Sequence, residues 1–230
     1  MSEPRSQRAR VTTGAEDQRA RNRDLASPHL RYDARLQRRS SSMLQQRVVE
    51  QERASIAEAL DLILADDSIA QAAARIVAAR RRFIVGSSKS FSYASLLAFD
   101  LSAALSHVTL IDGTVVRSID VLSDVRSSDL MVAFSLRRYR RDTVEIARRF
   151  SEAGGELVAI TDFDDAPLAD IADQSIYVAT GSASYVDSPT VVAAVLYVLA
   201  TLTTASAKGA RRRLGERDRL NTELGLYVVD

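Results

Sequence analysis

Two stretches decide how this chain folds: Arg82 to Ser90, RFIVGSSKS, and Asp129 to Thr143, DLMVAFSLRRYRRDT. Each starts as a short apolar run, ends in hydroxyl and cationic residues, and then opens a helical pattern. Runs that are apolar on both faces belong to strands covered by helices on both sides, as in parallel sheets. Working outward, Val108–Ile111, Leu157–Ile160 and Ser175–Val178 read as three further strands. Between them, Phe91–Leu105, Val115–Leu122 and Arg138–Ala153 carry helical patterns. Asp112-Gly113 and Gly154-Gly155 supply a turn and a helix stop, and Pro167 sits near the first turn of a short helix. Asp187-Ser188-Pro189 reads as a helix start, a capping side chain and then proline. The helix it opens, Thr190–Ala205, is apolar nearly all round and is expected to be deeply buried. Five short strands alternating with helices predict an α/β fold with a doubly wound parallel sheet. Ligands of such sheets bind outside the carboxyl ends of the strands, where the turns after the first and third strands lie.

The flanks are of a different kind. Residues 1–41 hold few large apolar side chains and read as a disordered basic arm, since little burial is available to offset ordering entropy. From Ser42, Met43, Leu44, Val48, Ile56, Leu60, Ile63 and Leu64 form one stripe of a long helix, able to cover the domain or to pair with a second subunit. Asp67 or Ser68 caps a second helix, Ile69–Ala79. The domains are therefore an arm over 1–41, N-terminal helices over 42–81, an α/β domain over 82–207 and a charged tail, solvated helix or arm, over 208–230.

Composition narrows the chemistry. The 230 residues contain no cysteine, which removes disulfides and thiolate chemistry, and two histidines, which argues against a metal site. Net charge is +1, and only Lys89 and Lys208 of the 31 basic residues are lysine; this arginine excess reads first as genome composition. No run approaches the roughly 18 apolar residues of a membrane span, and the N-terminus lacks a signal-peptide core. A cytoplasmic protein is expected.

At the first strand end, Gly86 permits close backbone approach. Ser87, Ser88 and Ser90 offer hydroxyls, Lys89 a point charge, and the helix start free N–H groups and a positive dipole end. The same serines could simply cap the helix, and G-x-x-x-x-G-K-S/T is not met. At the third strand end, Ser135 and an arginine, Arg137 among them, suit a phosphate; the other arginines read as a solvated helix face. Thr161-Asp162 could line the same crevice or form a turn. Ser182, Ser184 and Ser188 lie before the last helix, and Ser188 is counted with the ligand-binding candidates.

At these residues the chain resembles the sugar isomerase (SIS) domain, most closely that of RpiR-family (MurR/RpiR-type) transcriptional regulators. The carriers are RFIVGSSKS, VTLIDG, DLMVAFSLRRYRRDTVEIA, GELVAITDFDDAPLADIAD and YVDSPTVVAAV, spanning about Arg47 to Ala205. The resemblance implies a three-layer α-β-α sandwich that binds phosphorylated sugars or amino sugars and assembles into dimers or tetramers. It places Ser87, Ser88 and Ser135 at the ligand, with Lys89 and Ser90 as looser matches. Arg137 stands where the commoner S-x-S-G turn has its second serine. Those regulators also carry a helix-turn-helix domain of about 75 residues. Residues 1–41 are too short and polar to be one, so DNA binding is expected only if such a domain is supplied elsewhere.

The expected function is a ligand sensor in the control of carbohydrate use, without cofactor, metal or catalytic residue. An aldose–ketose isomerase is the alternative, and it needs a base, usually Glu or His. Related isomerases place a Glu after the third-strand turn and a His on a late helix. Here the turn holds arginines, Glu145 is expected to face solvent, His29 lies in the arm and His107 starts the second strand. Lys89 alone makes no catalytic set, and turn or capping roles suit Asp162, Asp164 and Asp165. A third reading is an interaction protein that works through the stripe at 43–64.

Overall fold

The structure, a computed structural model, describes residues 27–36 and 40–228. It divides into two units, Met1–Ala54 with Gly181–Ser188 and Ser55–Thr180 with Pro189–Asp230. The larger unit holds a five-stranded, all-parallel sheet: β1 (Arg81–Gly86), β2 (Val108–Leu110), β3 (Asp129–Ser135), β4 (Glu156–Thr161) and β5 (Gln174–Tyr177). Its order is β2-β1-β3-β4-β5. The chain leaves β1 to one side for β2 and returns to the other side for β3, so the winding reverses between β1 and β3. The crossovers there splay apart, and a crevice opens above the carboxyl ends of both strands.

The helices are α1 (Pro28–Arg35), α2 (Ser41–Ala65), α3 (Ser68–Ala78), α4 (Lys89–Ala104), α5 (Ser118–Leu122), α6 (Arg141–Glu152), α7 (Thr190–Ser206) and α8 (Ala210–Glu223). Alternation along the strands assigns them to layers. Ile84, Leu130, Val132, Phe134 and Ile160 point to one face and pack with Ile76 of α3, Leu97 of α4 and Leu196 of α7. Phe83, Val85, Met131, Ala133 and Leu157 point to the other, against Val121 of α5 and Ala147 and Phe150 of α6. The molecule's larger unit thus has the doubly wound parallel sheet that the alternating pattern predicts, in the three-layer α-β-α sandwich that the resemblance implies. Phe83 and Phe150 meet edge to face at 5.8 Å.

Most predicted elements lie within a few residues of their observed bounds, and the exceptions are instructive. The long helix forms; toward its C-terminal end Ala59 is buried and Ile63 packs on the core, while Leu60 and Leu64 are exposed. α1 forms inside the stretch read as an arm; most of the remainder of that stretch, 1–26 and 37–39, lies outside the described residues. Arg31 of α1 pairs with Asp187, and Arg35 donates to the Ser182 and Ser184 carbonyls at 2.6 and 2.9 Å. Composition alone hides these anchors, because they are arginines rather than apolar residues. Pro167 starts turns rather than a helix. α7 begins at Thr190, with Pro189 in the capping position and no side-chain cap. The tail forms α8, a solvated helix over most of its length.

At the amino ends of the strands, buried polar groups find partners. Asp129 accepts from Arg81 Nε at 2.9 Å and from the Arg126 N–H at 2.8 Å. The Arg82 guanidinium donates to the carbonyls of Ile76, Val77 and Ser106 at 2.5, 2.8 and 3.1 Å, serving as a C-terminal cap for α3. Among the described residues no single helix is long and apolar enough to cross a membrane.

Candidate functional site

The register builds the site. Gly86 lies beside Phe134, and Ser135 beside Thr161, so the next residues along, Ser87, Ser135 and Asp162, stand at three adjacent strand ends. The backbone turns sharply after β1. A Cβ on Gly86 would lie 2.6 Å from the Ser90 carbonyl oxygen, so only glycine lets the first turn of α4 come this close. Ser88 takes φ 58°, rare for a residue with a Cβ, and its side chain makes no capping bond to α4. The capping alternative for Ser88 is thus not what the geometry shows. Ser88 and Lys89 are exposed at the turn, and Ser87 and Ser90 are half-buried.

Ser87 is held from the neighbouring crossover. Thr143, fully buried on α6, donates to Ser87 Oγ at 2.8 Å. Ser87 also bonds the Asp142 carboxylate, which Arg140, then the Thr143 N–H, and Ser87 hold below the usual carboxylate range against the opposing effect of partial burial. Thr143 escaped the motif-based reading. Its signal was its place in the buried stripe Thr143, Ala147, Phe150, spaced i, i+4, i+7.

Ser135 ends β3 and is 2% exposed, yet among the described residues its Oγ has no hydrogen-bond partner. Its carbonyl accepts from Thr161 Oγ1 at 2.7 Å, which fixes the strand end. The neighbouring Asp162 carries a second such atom: Oδ1 is buried and unpartnered, and its side chain is 2% exposed. Burial raises the Asp162 carboxyl above its usual range, opposed in part by hydrogen bonds from Tyr139 and the Arg137 N–H. Tyr139 is itself pushed up, by burial first and then by the Asp162 charge. The Arg137 guanidinium stacks over the Phe163 ring at 4.5 Å, with Nε 4.0 Å from Asp162 Oδ2. This arginine is positioned on two sides while part of it stays open to solvent. Buried polar atoms almost always find partners. Two that do not, on adjacent strand ends at the point where the winding reverses, mark a place built to receive a polar ligand.

The remaining candidates fall elsewhere. Ser188 belongs to the smaller unit, where it is buried and donates to Glu52 Oε2 at 2.6 Å. Glu145 is exposed and bonds Arg149 at 2.8 Å. His107 is exposed just before β2, at the amino end of the sheet, and His29 sits 3.6 Å from Asp33 on α1. Among the described residues no group of three His, Cys, Asp or Glu side chains could hold a metal ion.

Comparison with known proteins agrees with this architecture. No curated protein matches the sequence. Among solved structures, the sugar isomerase domain of an RpiR transcription factor from Sphaerobacter thermophilus superposes with a TM-score of 0.70 at 27% identity, covering 76% of this chain and 98% of that one. The Vibrio vulnificus NanR protein, complexed with ManNAc-6P, gives 0.67 at 17% identity over 86% of this chain and 74% of its own. A Methanococcus jannaschii protein, for which a 3-hexulose-6-phosphate isomerase function was inferred, gives 0.57 at 14% identity over 75% and 96%. The latter two show the shared fold alone. The SIS domain family profile matches residues 75–206, more than half of the chain and all five strands, and the chain belongs to the SIS domain family.

Proposed function

We propose that the chain is the ligand-sensing domain of an RpiR-like regulator of carbohydrate metabolism, binding a phosphorylated sugar or amino sugar in the crevice between β1 and β3. The observation that carries this reading is the unpartnered Ser135 Oγ beneath that crevice. Ser87, Ser88, Lys89 and Ser90 would hold the phosphate with the N-terminal N–H groups of α4. Ser135 would bond a ligand oxygen, and Arg137, braced by Phe163 and Asp162, would close on the anion. The regulator domain among the structural neighbours supports sensing, and the NanR complex supports this ligand class. The protein would act in the cytoplasm as a homodimer or homotetramer, reaching DNA only through a helix-turn-helix domain supplied elsewhere.

The test is a thermal-shift screen against phosphorylated aldoses, ketoses and amino sugars, each beside its unphosphorylated parent. A shift confined to phosphosugars is expected. An equal shift with the parents would contradict a phosphate site.

One observation favours the isomerase reading. Asp162 is a buried carboxylate with a raised pKa and a free oxygen beside the crevice, the environment of a general base. Aldose–ketose interconversion by the protein, lost in Asp162→Asn, would establish that reading in place of the sensor.

A further inference from the structure

At the opposite end of the strands from the crevice lies a cavity of about 820 Å³, between the amino end of β1, the link from α4 to β2, and α8. That volume is within the range of small-molecule sites. Five cations line it: Arg82, Lys208, Arg212, Arg213 and Arg217. The single carboxylate on its wall, Glu216, is already taken by Arg219, which binds both its oxygens at 2.6 and 3.0 Å and holds it below the usual carboxylate range. Arg82 is 7% exposed and, among the described residues, its guanidinium bonds only carbonyls, while Arg213 bonds only the Ser102 carbonyl. Lys208, Arg212 and Arg217 form no ion pair among the described residues. Arg213 and Arg217 stand four residues apart on one helix, a repulsive spacing. α8 opens beside the same cavity at Gly209, with no side-chain cap on its first turn. Cations, a helix N-terminus and a neutralised carboxylate all converge on one concave space. Val77, Ala104, Leu105, Ala207 and Leu220 give the wall an apolar part, beside Ser106 and Ser206.

We propose that this cavity is a second ligand site, for a small polyphosphate that carries a flat apolar group, the chemistry of a nucleoside di- or triphosphate. Its phosphates would sit among Lys208, Arg212 and Arg217 at the start of α8, and the base against the apolar wall. Concavity favours a small molecule over the extended backbone of a nucleic acid.

The experiment is equilibrium binding to the full chain of three probes, ATP, inorganic pyrophosphate and adenosine, with duplex DNA as a fourth. ATP should bind more tightly than pyrophosphate, adenosine weakly, and affinity should fall with salt. The double variant R212E/R217E, altered at exposed positions and checked for an unchanged melting temperature, should weaken ATP about tenfold or more. Ser135→Ala should leave ATP binding unchanged, which separates this site from the phosphosugar crevice. Absence of ATP binding at millimolar concentration, full affinity in R212E/R217E, or duplex DNA bound more tightly than ATP would each overturn the proposal.

Discussion

The two ends of the sheet treat buried polarity in opposite ways. At the amino end, Arg81, Arg82 and Asp129 are drawn out of solvent and their bonds close on the protein itself. At the carboxyl end, Ser135 Oγ and Asp162 Oδ1 are as deeply buried and have no hydrogen-bond partner among the described residues. A buried polar group that is satisfied internally specifies the fold. One left open lowers stability, and persists where a ligand completes it. The contrast separates structural from functional residues without relying on residue type alone, since both ends use aspartates and arginines.

Substitutions can break that contrast. The largest effect is expected at Asp129, whose removal takes from the half-buried Arg81 its buried partner and leaves it only the more exposed Asp124. Asp129→Ala should cost about 3 kcal/mol, read by urea denaturation; a loss below about 1 kcal/mol would show that the amino end is not held by this pair. Next comes Gly86→Ala, whose new Cβ meets the Ser90 carbonyl. It should cost about 1–3 kcal/mol and weaken phosphosugar binding by displacing the turn, both measurable by calorimetry.

The two aspartates should show crossed pH dependence. For Asp129, burial acts to raise the carboxyl, but the bonds from Arg81 and Arg126 outweigh it and the folded pKa is lowered. Its stabilisation is present above the unfolded value of about 4 and is lost as pH falls through the folded pKa. For Asp162 the folded pKa is raised, chiefly by burial. Its contribution is fully present below about 4 and is lost as pH rises through the folded value. Asp129→Asn should therefore destabilise at neutral pH and converge with the parent in acid. Asp162→Asn should match or exceed the parent at neutral pH, by about 1 kcal/mol or about 2–4 °C in Tm, and lose that advantage in acid. Parallel rather than crossed Tm profiles would contradict the distinction.

Much of this was legible in the sequence. Apolar runs such as MVAF fixed strand identity because parallel strands are buried on both faces, and the residues ending them located the crevice. What was not legible depended on contacts distant along the chain. Asp162 read as lining the crevice or forming a turn, and the sequence left both open because its bonds come from the neighbouring crossover, through Tyr139 and Arg137. Ser188 read as a cap, but its partner, Glu52, is 136 positions away. α1 is pinned by arginines that a hydrophobic pattern does not register. The cationic cavity joins residues from Arg82 to Arg217, of which the tail alone looked like a solvated helix.

The smallest effect on stability and the most direct on function belong to Ser135. Its hydroxyl makes no bond to lose, so Ser135→Ala should change folding stability by no more than about 1 kcal/mol. The decisive measurement is a calorimetric titration of the wild-type chain and Ser135→Ala with the phosphosugar giving the largest thermal shift. An affinity about tenfold or more weaker in a variant with unchanged Tm is the predicted result. Equal affinity in the two proteins would contradict the claim that this buried, open hydroxyl is there for the ligand.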